Sequence, residues 1–219
     1  MVAGGSGVRF GGHKQFLPLA GKPVAAWSVQ AARPACDGVV LVVPSGPINA
    51  DVAPVPGATG ADAWGADVVV VGGATRASSV RAGLAAVPIE AAVIVVHDAA
   101  RPLASPALFS SVIDALEVGE AEAAIPALAV ADTLKQVTGD RVTGTVDREH
   151  LVAVQTPQAF IAASLRNAHD AAGEATDDAG LLEAAGATVV VVSGDPRNFK
   201  VTQPEDLVVA EALLDSADQ

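Results

Sequence analysis

The run Ala3-Gly-Gly-Ser-Gly-Val-Arg-Phe-Gly-Gly-His-Lys14 carries five glycines, one arginine and one lysine, and no acid. Glycine lets backbone N–H groups approach a ligand closely and take positive φ. Successive N–H groups in such a loop form an anion-binding concavity. Arg9 and Lys14 add full positive charge that can reach phosphate oxygens. The chemistry on offer is the cradling of a nucleoside triphosphate. Two better-known cradles fail here. A P-loop needs G-x-x-x-x-G-K-[ST], but His13 follows Gly12 where the lysine should stand. A dinucleotide fingerprint needs G-x-G-x-x-G, but Phe10 fills its third glycine position, which also disfavours a hydride-transferring enzyme. The loop is therefore a different phosphate cradle or a flexible turn, since Gly-rich runs serve both.

Such a loop must be positioned by strands. Residues 1–3 make a very short first strand where a cradle normally follows a full one, so the start reads as clipped or misassigned. Continuous apolar runs at 38–43, 67–71 and 91–97 read as buried parallel strands. Residues 123–128 and 187–192 read as two more. Helices are expected at 24–33 behind Pro23, and at 77–87, 106–117, 160–172, 177–185 and 204–214. The stretch 44–65 gives no clear element. Strands alternating with helices predict an α/β fold: a mostly parallel, Rossmann-like sheet covered by helices on both faces. Residues 129–150 differ in character: β-formers around the Gly139-Asp140 turn predict a two-stranded arm projecting from the single domain, 1–219. Ligands of such sheets bind beyond the carboxyl ends of the strands. The first loop, Gly72-Gly73, Asp98-Ala-Ala-Arg101 and Asn198-Phe-Lys200 each follow a predicted strand, so four loops converge there.

Composition narrows the classes. The 219 residues suffice for one sizeable core, and 51% apolar content opposes disorder. The net charge of −12 opposes general binding to nucleic acid or to an anionic membrane. No apolar run approaches the ~18 residues of a membrane span, and no signal segment opens the chain. Cys36 is the single cysteine, so no internal disulfide can form and a cytoplasmic setting is expected. It reads as a small buried hydrophobe. Trp27 and Trp64 read as core or interface, His97 as packed at a strand end, and His13, His150 and His169 as surface histidines. Asp177 and Asp178 read as helix N-terminal charges or metal ligands.

The first loop resembles the A-G-x-G-x-R…K signature of sugar-phosphate nucleotidyltransferases. His97-Asp-Ala-Ala-Arg-Pro102, Thr145-Val-Asp-Arg148, Gln155-Thr-Pro-Gln158 and Lys200-Val-Thr-Gln-Pro-Glu-Asp206 narrow the resemblance. In that order they are similar to the 2-C-methyl-D-erythritol 4-phosphate cytidylyltransferase family of non-mevalonate isoprenoid biosynthesis. The resemblance implies transfer of CMP from CTP to the sugar-alcohol phosphate, with release of pyrophosphate. It implies that Arg9, Lys14, Arg148 and Lys200 are catalytic. It also implies a nucleotide site made of Ala3, Gly4, Gly5, Ser6, Gly7, Gly73, Ala74, Ser79 and Ala99. Asp98, Arg101, Thr133, Thr156 and Thr176 would face the polyol phosphate, and Asp98 is a weak metal candidate. A Mg²⁺ on the triphosphate and a homodimer with crossing arms are implied. Thr133 and Arg148 would then serve the partner's site.

The residues agree with such chemistry on their own terms. A phosphomonoester is largely dianionic near neutral pH, so it attacks without a general base, and these loops offer no base paired with an orienting acid. What the reaction needs is cations that align two repelling anions and take up developing charge. There are departures. Ala74 stands where the family carries an acid near the ribose, so one nucleotide contact is absent or replaced. His13 stands where proline is usual. A close relative acting on another polyol phosphate, such as ribitol 5-phosphate, fits the same motifs. A nucleotide-binding sensor without turnover is the reading of another class, and pyrophosphate release would exclude it.

Overall fold

The computed structural model describes residues 1–4, 13–45, 64–171 and 175–216. Gly5, Ser6, Gly7 and Arg9 lie outside these, as does most of 44–65. Lys14 opens a 3-10 turn, Lys14–Phe16, that leads into a small hairpin of β1 (Pro18–Leu19) and β2 (Lys22–Pro23). Helix α1 (Val24–Ala32) follows Pro23 directly. β3 (Val40–Val43), β4 (Val68–Val71), α2 (Arg76–Ala86), β5 (Val93–Val96), α3 (Pro106–Glu117) and β6 (Ala123–Ala129) then alternate as the apolar runs predict. The arm is β7 (Leu134–Thr138) and β8 (Arg141–Val146), an antiparallel pair with a register shift at Gln136/Val137. β9 (Val152–Val154), β10 (Gln158–Ile161), α4 (Ala162–Asp170), α5 (Asp178–Ala184), β11 (Val189–Ser193) and α6 (Pro204–Asp215) complete the order.

The stub at residues 1–3 sits at the centre of the sheet. Val2 bridges Val42 of β3 and Asp98, just beyond β5, and both pairings are parallel. Its N–H donates to the His97 carbonyl (2.8 Å), and Ala3 N–H donates to Val42 (2.8 Å). The sheet therefore runs β4, β3, stub, β5, β10, β6, β11. Beneath Met1, away from the strand ends that carry Asp98, β3 and β5 border an apolar groove of about 800 Å³.

The sheet is mostly parallel, as expected: β4, β3, the stub, β5, β6 and β11 point one way, while β10 runs antiparallel to both β5 and β6, and β9 antiparallel to β6. Two expectations need correction. Residues 160–172 do not form one helix, because Phe160 and Ile161 belong to β10 and α4 starts only at Ala162. An apolar run of this length suits a buried strand and a buried helix equally well, and the Gln155-Thr156-Pro157 bend before it decides. β4 is an edge strand with Val68 and Val71 exposed, not a buried one, since four valines carry no mark of sheet position.

Helices α2 and α4 pack with β5, β6 and β10 around Leu84, Ile94, Ile125, Phe160 and Leu165. On the other side Phe16, Val29, Leu41, Ala99 and Phe109 form a second cluster with Trp64 at its border. Phe16 stacks edge-on against Trp64, 5.0 Å between ring centres. Cys36 is half-buried beside this cluster rather than enclosed by it.

Candidate active site

Asp98 is the residue around which the strand ends gather. Its backbone follows β5, and its side chain is 14% exposed. The Lys200 Nζ donates to its Oδ2 at 2.7 Å, and the Arg76 Nε lies 3.9 Å from Oδ1. Burial opposes ionisation, but the charge and hydrogen bond of Lys200, with Arg76 and Arg101 adding, hold this carboxyl below the usual range.

A buried relay fixes Asp98 from behind. The Arg101 carbonyl can only accept, so the His97 Nε2, 3.3 Å away, carries the proton. Nδ1 is then an acceptor for the Thr156 hydroxyl at 3.0 Å. That hydroxyl in turn accepts the Asp98 N–H at 3.0 Å. Every group is satisfied only if His97 is neutral, and burial indeed lowers its pKa to about 3. Thr156 is thus turned inward, behind Asp98.

The same bend carries the other wall. Gln155 donates to the carbonyls of Asp195 (2.9 Å) and Asn198 (3.3 Å), and Asn198 returns a bond to the Thr156 carbonyl (2.8 Å). Arg101 NH1 donates to the Asn198 carbonyl at 2.7 Å, and Val201 N–H to Ala100 at 2.8 Å. Asn198-Phe-Lys200 is thereby pinned against Asp98-Ala-Ala-Arg101, which is what puts Lys200 on Asp98. Lys14 belongs to this side too. Burial opposes the charge of Asp206, but bonds from Thr202 and Gln203 outweigh it, and Lys14 also helps to hold the carboxyl low.

The glycine side is built by close packing. A Cβ on Gly72 would meet Ser79 Oγ at 2.6 Å and Val42 Cγ1 at 3.0 Å, and one on Gly4 would meet Ser79 Oγ at 2.9 Å. These glycines let Gly4 and the 72–75 turn lie together against Ser79 at the start of α2. Thr75 caps that helix by accepting Ser78 N–H at 3.0 Å, and Ser78 Oγ accepts Thr75 N–H at 2.8 Å. The Ser79 hydroxyl donates inward to the Thr75 carbonyl at 2.9 Å. Ala3 and Ala99 are buried, whereas Gly73 and Ala74 are exposed on the turn.

The structure thus brings Gly4, Gly72, Gly73 and Ser79 together on one side, and Asp98, Arg101, Thr156 and Lys200 on the other. Thr176 is exposed, two residues before Asp178. Thr133 and Arg148 sit apart on the arm, both exposed, with Arg148 bonded to the Ala131 carbonyl at its base. Sequence reasoning missed Arg76 and misread His169. That histidine is buried, not on the surface, and its Nε2 lies 2.9 Å from Asp178 Oδ1. The signal was present for Arg76, which follows the second glycine turn directly.

A family model described as "IspD: 2-C-methyl-D-erythritol 4-phosphate cytidylyltransferase" matches residues 1–216. The chain belongs to this family. It is 46% identical to the 2-C-methyl-D-erythritol 4-phosphate cytidylyltransferase of Nocardia farcinica, over 97% of this chain and 91% of that one. The crystal structure of the Thermus thermophilus cytidylyltransferase superposes with a TM-score of 0.77 at 37% identity, covering 97% of this chain and 96% of that one. The chain also matches the bifunctional enzyme IspD/IspF of Nitratidesulfovibrio vulgaris at 42% identity, over 97% of this chain. It spans only 56% of that relative's length. The cytidylyltransferase fold thus occupies essentially all of this chain.

Proposed function

We propose that the protein transfers CMP from CTP to 2-C-methyl-D-erythritol 4-phosphate, giving 4-diphosphocytidyl-2-C-methyl-D-erythritol and pyrophosphate. The observation that carries this reading is the Asp98–Lys200 pair at 2.7 Å, at the strand ends beside the Gly72 turn, in a chain of this family. An oxygen of the acceptor phosphate attacks the α-phosphorus of CTP. The α-phosphorus–oxygen bond to the β-phosphate breaks, and pyrophosphate leaves with its electron pair.

The site residues take these roles. Arg9 and Lys14 hold the triphosphate and take up charge developing at the α-phosphorus. Backbone of Ala3, Gly4, Gly5, Ser6, Gly7, Gly73, Ala74 and Ala99, shaped by Ser79, receives cytosine and ribose. Asp98 and Arg101 face the polyol phosphate, with Thr156 behind Asp98 and Thr176 near it. Lys200 exchanges Asp98 for the acceptor phosphate. The arms of a homodimer cross, so that Thr133 and Arg148 reach the partner's site. The protein acts in the cytoplasm, consistent with the absence, among the described residues, of any helix long and apolar enough to cross a membrane.

Among the described residues, a metal cage made by the protein alone does not fit. Among the described residues no group of three or more His, Cys, Asp or Glu could hold an ion, and Asp98 is committed to Lys200 and Arg76. Mg²⁺ enters this reading as the counter-ion of CTP's own phosphates, since it takes most of its ligands from phosphate and water.

The test is pyrophosphate release across CTP, UTP, ATP and GTP, each with methylerythritol phosphate and ribitol 5-phosphate. Release with CTP and methylerythritol phosphate alone is the expected result. Release with ribitol phosphate instead would reassign the acceptor, and none with any pair would remove the enzyme reading.

A further inference from the structure

Asp178 opens α5, is 1% exposed, and has no part in the reaction above. Burial opposes its charge, but the His169 hydrogen bond and Arg76 hold the carboxyl below the usual range. Its Oδ1 faces His169 Nε2 at 2.9 Å, and its Oδ2 lies 2.7 Å from Arg76 NH2. A carboxylate only accepts, so Nε2 of His169 carries the proton. Asp177 next to it accepts Gly180 N–H at 3.0 Å and Gln158 Nε2–H at 2.8 Å. The loop carrying Thr176 is therefore anchored through two adjacent carboxylates.

Arg76 connects this anchor to the site. It is the first residue of α2, directly behind the glycine turn, and its Nε lies 3.9 Å from Asp98 Oδ1. One residue of α2 thus reaches both the Asp98 strand end and the buried carboxylate beside Thr176. The two cations on Asp98 are not equivalent. Lys200 makes the short contact, yet its side chain is 42% exposed and on a flexible stem. Arg76 is braced by a buried carboxylate and stands at a longer distance. When Lys200 turns to an acceptor phosphate, Asp98 loses its short contact and Arg76 at 3.9 Å is the ion-pair partner that remains; a largely buried carboxylate left without any would be strongly unfavourable.

We propose that Arg76, braced by Asp178 and His169, is a positioning residue that takes over as counter-ion of Asp98 when Lys200 engages the acceptor phosphate. Without the brace, the guanidinium would close on Asp98 in the resting state and displace Lys200. This inference rests on the reading above of Lys200 and the acceptor.

The test is a double-mutant cycle between Arg76→Met and Lys200→Met, with kcat and both KM values measured on variants whose melting curves show a folded protein. Arg76→Met is expected to lower kcat at least tenfold and raise the acceptor KM at least fivefold, with the CTP KM moving less than twofold. Arg76→Lys is expected to restore most of both. The double variant is expected to lie within threefold of Lys200→Met alone, because Arg76 acts through that lysine. Wild-type kcat and acceptor KM in folded Arg76→Met, or fully additive losses, would overturn the inference. If Arg76→Met does not fold, Asp178→Asn decides: a raised acceptor KM supports the brace, and an unchanged one overturns it. Calorimetric titration of methylerythritol phosphate into the same variants keeps the two proposals apart. Wild-type protein that binds the acceptor but releases no pyrophosphate sinks the reaction alone. Equal acceptor affinity in wild type and Arg76→Met sinks the role of Arg76 alone.

Discussion

The strand-end cluster and the β-arm both carry arginines and threonines of the family motifs, yet they hold them in opposite ways. At the strand ends each polar group is fixed by another segment: Asp98 by Thr156, Lys200 by Asp98, Arg101 by the Asn198 carbonyl. On the arm, Arg148 reaches only its own base, at Ala131, and Val137 and Val142 are 58% and 63% exposed. A charge fixed from several sides needs no second chain to be positioned. An arginine and two valines left exposed on the hairpin are what the proposed dimer would cover.

Removing a fixed charge should have the largest effect. Lys200→Met is expected to lower turnover by about 10²–10³, the usual loss when one preorganised donor to developing charge is removed. Steady-state pyrophosphate release with both substrates saturating reads this directly, and a loss under tenfold would mean Lys200 is an ordinary surface lysine. Next comes the arm. Val137→Asp with Val142→Asp should dissociate the proposed dimer in sedimentation equilibrium and cost activity. It should shift chain stability by no more than about 0.5 kcal/mol, as surface changes do. A dimer that survives both charges would place the interface elsewhere.

Gly72→Ala tests the cradle itself. Its Cβ would press on Val42 and Ser79, and overpacking of this kind costs roughly 1–3 kcal/mol. The urea midpoint should fall and the CTP KM rise together, and an unchanged midpoint would mean the turn is looser than the structure shows.

The smallest effect is a pH slope. His97 titrates at about 3 in the folded chain and near 6.5 when unfolded. Between these values only the unfolded chain takes up the proton, so stability falls as pH falls, by at most about 1.4 kcal/mol per unit. Asp98 and Asp178 are both held low. Their stabilisation is present above the unfolded carboxylate range and is lost as pH falls through their folded values. Urea midpoints from pH 7.5 to 5 read the slope, and the part of it that His97→Asn removes is the share of His97.

Much of the fold was legible because long apolar runs bounded by Gly and Pro leave few choices. The run at 106–117 coincides with α3, and the hairpin around Gly139-Asp140 is β7 and β8. The convergence of the loops was legible, since Gly72-Gly73, Asp98 and Lys200 each come after a strand. β10 was not legible: Phe160-Ile161 reads as the start of a helix, and only the partners on either side make Gln158–Ile161 a strand. His169 was misread for a similar reason, because a histidine near a helix end looks solvent-facing until a buried carboxylate is placed 2.9 Å away.

The sequence by itself determined the alternation of strands and helices and the hairpin around Gly139-Asp140, because periodicity and turn-forming glycine are local properties. Tertiary structure alone decided that β10 runs against both its neighbours and β9 against β6. It also decided that Thr156 and His97 stand behind Asp98, and that Arg76 is shared between Asp98 and Asp178. Those outcomes depend on which distant segments meet, and hydrogen-bond and charge pairing across them is written in no single stretch of the chain.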